Sequence, residues 1–204
     1  MVIKLQNIGK RFAYRWLYRN INLTFLSEKR YAIKGPNGSG KSTLLQLIAT
    51  YLLPSEGKIN YYHNDQLISG DTIPSKIAFT APYIELINEF NLGELYNFHQ
   101  TFRKLKVAKS DWIELLGFGK EIHKPIQYFS SGMKQRVNLS LALCSEADVY
   151  LIDEPTTNLD SQGKRWYRQM VEDYCQNKLL IIASNEPGDH DFCEETISIN
   201  DLIL

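Results

Sequence analysis

Apolar and polar positions along the chain change period three times. Between residues 2 and 34 the apolar positions come in short runs that predict strands at Val2–Asn7, Ile21–Leu26 and Tyr31–Lys34, the last running into a glycine cluster. Ser42–Thr50 has helix-forming composition, and Leu53-Pro54-Ser55-Glu56-Gly57 closes it with turn residues before a strand at Lys58–Tyr62 and another at Lys76–Thr80. From there the spacing turns helical: Leu92, Leu95, Tyr96, Phe98 and Phe102 share one face, and Trp112, Leu115 and Leu116 another. We read Tyr83 to about Gln127 as a helical insertion. Val149-Tyr150-Leu151-Ile152 and Leu179-Leu180-Ile181-Ile182-Ala183 are continuously apolar, as in central strands of a parallel sheet buried on both faces. Gln162–Gln176 lies between them as a crossover helix. The pattern is α/β: helices around a mostly parallel sheet, with a helical subdomain.

Composition narrows the function classes. A length of 204 residues, 44% of them hydrophobic, suits one domain with a real core. Lys plus Arg and Asp plus Glu are 23 each, so no global field recruits nucleic acid or anionic lipid. The longest apolar run, Leu179–Ala183, is far below the roughly 18–20 residues of a membrane span, and the N-terminus shows no secretory leader. The expectation is a cytoplasmic protein with no nucleic-acid partner. Cys144, Cys175 and Cys193 form no CxxC pair and read as reduced thiols. His63, His99, His123 and His190 show no metal-ligand spacing, and His190 reads as a surface residue.

The strongest chemical signal is Gly35-Pro36-Asn37-Gly38-Ser39-Gly40-Lys41-Ser42, followed by Thr43. Two glycines with four residues between them, then Lys and a hydroxyl, between a strand and a helix, make a phosphate-binding loop. Backbone N–H groups and the positive end of the helix hold a polyphosphate, Lys41 reaches the β/γ-phosphates, and Ser42 binds Mg²⁺. Asp153-Glu154 ends the buried strand at 149–152, where open α/β sheets bind ligands. Asp153 is the second candidate for Mg²⁺, and Glu154 the base that orients and deprotonates the attacking water.

A third segment, Phe129-Ser130-Ser131-Gly132-Met133-Lys134-Gln135-Arg136, precedes Asp153, and Thr157-Asn158-Leu159-Asp160 follows it. With these four motifs in this order, essentially the whole chain resembles the ATP-binding-cassette (ABC) ATPases. The resemblance implies a P-loop NTPase core of the ABC type at 1–82 and 128–204, with an antiparallel β subdomain, and a helical subdomain at 83–127. It implies ATP and Mg²⁺ as ligands, and a head-to-tail homodimer, or a heterodimer with another ABC subunit. In such a dimer Ser130, Ser131 and Gly132 cap the partner's ATP and Asp160 lies across the interface. Phe12 occupies the place of the aromatic that stacks on adenine, with Trp16 the alternative. An ATPase subunit driving a separate integral membrane permease, peripheral on the inner face of the cell membrane, is the leading reading. A non-transport ABC ATPase, as in cluster assembly, and a weakly hydrolysing regulatory subunit are the alternatives.

Four positions depart from the family pattern. Ser131 and Met133 replace the usual Gly and Gln of the signature loop, Ala81-Pro82-Tyr83 stands where a Gln is usual, and Asn185 stands where a His is usual. Low basal hydrolysis is therefore expected, with Asn185 as the third candidate catalytic residue. Among the insertion's aromatics, Tyr83 is the best candidate for a permease contact.

Overall fold

The computed structural model describes residues 1–68 and 70–202. The chain opens with a hairpin, β1 (Val2–Phe12) and β2 (Arg15–Phe25), and β3 (Arg30–Lys34) runs into the glycine loop and α1 (Lys41–Ile48). β4 (Glu56–His63) and the two-residue β5 (Gln66–Leu67) follow, and the short α2 (Ile73–Lys76) leads into β6 (Ile77–Thr80). Then come α3 (Leu92–Phe102), α4 (Lys109–Leu116), α5 (Ser131–Leu143), β7 (Val149–Asp153), α6 (Ser161–Tyr174), β8 (Leu179–Ala183) and β9 (Glu195–Ser198).

The strands form two sheets: an antiparallel one ordered β2-β1-β4-β5 and a parallel one ordered β6-β7-β8-β3-β9. All five residues of β7 and of β8 are buried. Val149, Leu151, Leu179 and Ile181 pack with α1 and the antiparallel sheet, through residues such as Leu44, Leu47, Ile3 and Ile8. Tyr150, Ile152, Leu180 and Ile182 point the other way, into a core shared with Trp112, Val137 and Tyr167. Burial on both faces is the physical reason for the two unbroken apolar runs.

β1 and β2 reach well beyond the expected strands. Asn7 adopts a left-handed conformation (φ 52°) and the register shifts between Leu5 and Ile8, so the alternation breaks where the strand does not. α3 starts at a capping box in which Asn91 and Glu94 bond each other's backbone N–H. Trp112 of α4 is fully buried, and its indole N–H donates to Ser140 Oγ on α5 at 3.0 Å. No helix among the described residues is long and apolar enough to cross a membrane. Cys144 and Cys175 are buried and Cys193 half-buried, all three free, with burial pushing each thiol up to about 12. His190, expected at the surface, is buried beneath the turn that follows β8.

Candidate functional site

The loop at residues 35–40 leaves the C-terminal end of β3 and turns into α1 at Gly40, whose φ of 100° is a conformation that residues with a Cβ rarely adopt. The first N–H groups of α1 face the loop, so the local fold is an anion cradle before any side chain is considered. Lys41 is 5% exposed. Its ammonium donates to Gly35 O at 2.8 Å and lies 3.5 Å from Glu154 Oε1. A cavity of about 530 Å³ opens on the loop, lined by Phe12, Leu17, Asn37, Gly38, Gly40, Lys41, Ser42, Thr43, Glu154 and Thr157.

Asp153 closes β7 behind this cavity. It is 1% exposed, and its Oδ1 is buried with no hydrogen-bond partner. Burial pushes its carboxyl above the ordinary carboxylate range; the Ser42 hydroxyl opposes the rise, Glu154 adds to it, and Lys41 and Tyr83 oppose it. Such a group is incompletely satisfied by the protein alone. Glu154 holds a left-handed backbone conformation (φ 43°) at the end of the strand, with its N–H donating to Ala183 O at 2.8 Å. Strain of this kind concentrates at functional positions. Its Oε2 lies 3.2 Å from Ser184 Oγ.

Asn185 reaches the loop from the segment after β8. Its Oδ1 accepts from the Gly35 N–H at 3.2 Å and its Nδ2 donates to Asn37 Oδ1 at 3.3 Å. Phe12 stands at the cavity rim, 50% exposed, with the Lys10 ammonium 5.1 Å from its ring centre. Trp16 is not among the lining residues; the guanidinium of Arg19 covers its ring at 4.3 Å, and Arg19 itself pairs with Glu56 at 2.9 Å.

Ser130, Ser131, Gly132 and Asp160 lie elsewhere. Ser130 caps α5, accepting from Met133 N–H at 3.2 Å, and Asp160 caps α6, accepting from Gly163 N–H at 2.7 Å. None of the four lines the 530 Å³ cavity. Gly132 packs so closely under Asn158 that a Cβ there would sit 2.8 Å from the Asn158 carbonyl oxygen. The structure thus gathers residues from the loop, β7 and the segment after β8 into one site and leaves the signature segment on another part of the surface.

Sequence reasoning missed several neighbours. Leu17 and Thr157 line the cavity, and Thr157 stood in a quoted motif without an assigned part. Tyr83, the candidate for a permease contact, is 51% exposed, while its hydroxyl accepts from Gln46 Nε2 at 2.8 Å and it interacts with the Asp153 carboxylate. A phenol therefore stands where the sequence offers no amide. No local pattern marks these contacts, because each joins segments distant in sequence.

Comparison with known proteins agrees with this geometry. The ABC transporter family model matches residues 18–157. The lantibiotic transport ATP-binding protein SrtF of Streptococcus pyogenes is 28% identical over 187 residues, covering 90% of this chain and 80% of that one. The zinc import ATP-binding protein ZnuC of Mannheimia succiniciproducens is 32% identical over 170 residues, covering 83% of this chain and 61% of that one. A dimeric post-hydrolysis structure of the ATP-binding cassette MJ0796, bound to ADP and Pi, superposes with a TM-score of 0.81 at 23% identity, covering 96% and 93% of the two chains. The phosphate loop, the buried strand ending in two acids and the two-sheet core are those of an ATPase cassette, and the chain belongs to the ABC transporter family.

Proposed function

We propose that the chain binds Mg–ATP in the cavity at the 35–42 loop and hydrolyses it as one half of a dimeric motor that drives a separate membrane permease. The observation that carries this reading is the meeting of the Lys41 ammonium and the Glu154 carboxylate at one phosphate cradle, with Asp153, one of its oxygens unpartnered, interacting with Ser42 and Lys41 beside it. The backbone N–H groups of residues 35–43 and Lys41 hold the phosphates, while Phe12 stacks on the base. Ser42 and Asp153 are the residues that would hold Mg²⁺, a hard cation that takes oxygen ligands. The unpartnered Asp153 oxygen suits it, and when bound the ion neutralises charge on the β- and γ-phosphates. Glu154 orients the attacking water and takes its proton, and Asn185 borders the same loop.

The signature segment completes the site in trans. Ser130 offers a hydroxyl and Gly132 a backbone N–H at the start of α5, where the helix dipole favours an anion. Across a head-to-tail dimer, of two copies or with another ABC subunit, Ser130, Ser131 and Gly132 would meet the partner's γ-phosphate, and Asp160 would lie at the seam. We assign 1–82 and 128–204 to the ATP-binding core and 83–127 to the helical subdomain. Between them lies a groove of about 280 Å³, lined by residues including Phe79, Leu95, Phe98 and Phe102, with Phe102 77% exposed. This groove is where a cytoplasmic helix of the permease would dock, placing the chain on the inner face of the membrane.

The experiment is light scattering of Glu154→Gln, which removes the base and keeps the shape. With Mg–ATP its mass should double, with ADP it should not, and Ser130→Arg in the same background should abolish the doubling. Identical masses with ATP and ADP would overturn the composite site.

A further inference from the structure

A carboxylate that the ATPase chemistry does not use lies directly behind the base. Asp189, in the turn after β8, is 1% exposed, and its Oδ2 accepts from Ser184 Oγ at 2.6 Å. Ser184 is fully buried; its Oγ also lies 3.2 Å from Glu154 Oε2 and accepts the Glu186 N–H at 3.1 Å. A serine hydroxyl has one proton to give. Two carboxylates face that proton, and the 2.6 Å contact with the more deeply buried one takes it.

We propose that Asp189 is a positioning residue for hydrolysis: by holding the Ser184 proton, it leaves Oε2 of Glu154 without a donor and keeps that oxygen's lone pairs available to the attacking water. The inference rests on the reading of Glu154 as the base. The arrangement is braced on three sides. Ser184 N–H donates to Ile33 O at 3.2 Å, Glu154 N–H to Ala183 O at 2.8 Å, and the Tyr167 hydroxyl on α6 to Asp189 O at 3.2 Å. On the far side of Glu154 the Lys41 ammonium faces Oε1 at 3.5 Å, so Oε2 is the oxygen whose availability Ser184 decides.

Asp189→Asn keeps the shape but replaces the charged acceptor with a neutral amide, which passes the Ser184 proton to Glu154. Single-turnover ATP hydrolysis should fall about tenfold, a barrier change of about 1.4 kcal/mol, with ATP affinity by calorimetry unchanged. Adding Ser184→Ala to that variant removes the intruding donor and should recover most of the loss, which a merely structural Asp189 would not allow. Should Asp189→Asn fail to fold, Asp189→Ser with and without Ser184→Ala makes the same comparison. Wild-type hydrolysis by the folded Asp189 variant, or a double variant no faster than the single, overturns the inference. Glu154→Gln assayed in parallel separates the two failures. Its hydrolysis at the wild-type rate would overturn the base assignment and this inference with it, whereas its inactivity beside an unimpaired Asp189→Asn overturns this inference alone.

Discussion

Gly132→Ala sets helix propensity against a close backbone contact. Alanine in place of glycine favours a helix by up to about 1 kcal/mol, and less in the first turn, where Gly132 sits. Against this, the new Cβ would stand 2.8 Å from the Asn158 carbonyl oxygen. Carbon–oxygen contacts ordinarily begin near 3.3–3.6 Å, so that carbonyl would have to retreat by roughly half an ångström or more. It has little room to do so. Asn158 is already in a left-handed conformation (φ 66°), and its neighbours are tied by the Leu159 N–H to Thr156 O bond at 3.0 Å and by the Asp160 cap on α6. Overpacking of this kind costs about 1–3 kcal/mol, which exceeds the propensity gain. A net loss of about 1–2 kcal/mol lowers the melting temperature by roughly 2–8 °C in a chain of this size. Thermal unfolding followed by circular dichroism measures it. Gly188→Ala is the control, since no atom lies within 4 Å of its Cβ position. The Gly132 N–H should also move, weakening the ATP-dependent doubling of mass in the Glu154→Gln background. A melting temperature for Gly132→Ala equal to or above that of the wild type would refute the reasoning.

Two further outcomes follow from single side chains. Asn185→His should raise single-turnover hydrolysis up to about tenfold, because a charge-assisted bond near the γ-phosphate is roughly twice as strong as a neutral one; an unchanged or lower rate with intact ATP affinity would place the slow step elsewhere. Burial pushes the His99 imidazole down to about 4, with Arg103 adding to the shift, while its Nε2 lies 3.0 Å from Ser145 Oγ. A folded-state value below the ordinary 6.5 means that the unfolded chain takes up the proton first, so stability is complete above about pH 6.5 and declines as the pH falls toward 4. Discounted for partial exposure, the loss is about 1–2 kcal/mol, and His99→Gln should flatten the fall in melting temperature across that window. Parallel profiles for the two proteins would remove His99 as the cause.

The parts of the fold legible in the sequence are those where one local requirement dominates. β7 and β8 need apolar residues on both faces, and α1 follows a loop whose glycines and lysine belong to phosphate chemistry, so both could be placed from the chain alone. The hairpin was legible only in part, because the left-handed Asn7 and the register shifts interrupt its alternation. β9 gave no signal: it is a four-residue edge strand with two exposed and two half-buried positions. In the site, loop and strand-end motifs named most of the residues that line the cavity, though not Leu17 or Thr157, whereas the contacts that organise them are tertiary. Tyr83 meets Gln46 across 37 positions and Ser184 meets Glu154 across 30, separations at which no spacing rule operates. That Phe12 lines the cavity while Arg11 and Arg19 cover the Trp16 ring is likewise a tertiary fact.

That the 35–42 loop is the ATP site is tested most directly by calorimetric titration of the wild type and Lys41→Ala with Mg–ATP. Removing the ammonium leaves the phosphates without their charged hydrogen-bond donor, a loss of about 1.5–3 kcal/mol. Affinity should therefore fall by roughly ten- to a hundred-fold or more, with phosphate release abolished. Wild-type affinity and turnover in Lys41→Ala would contradict the assignment.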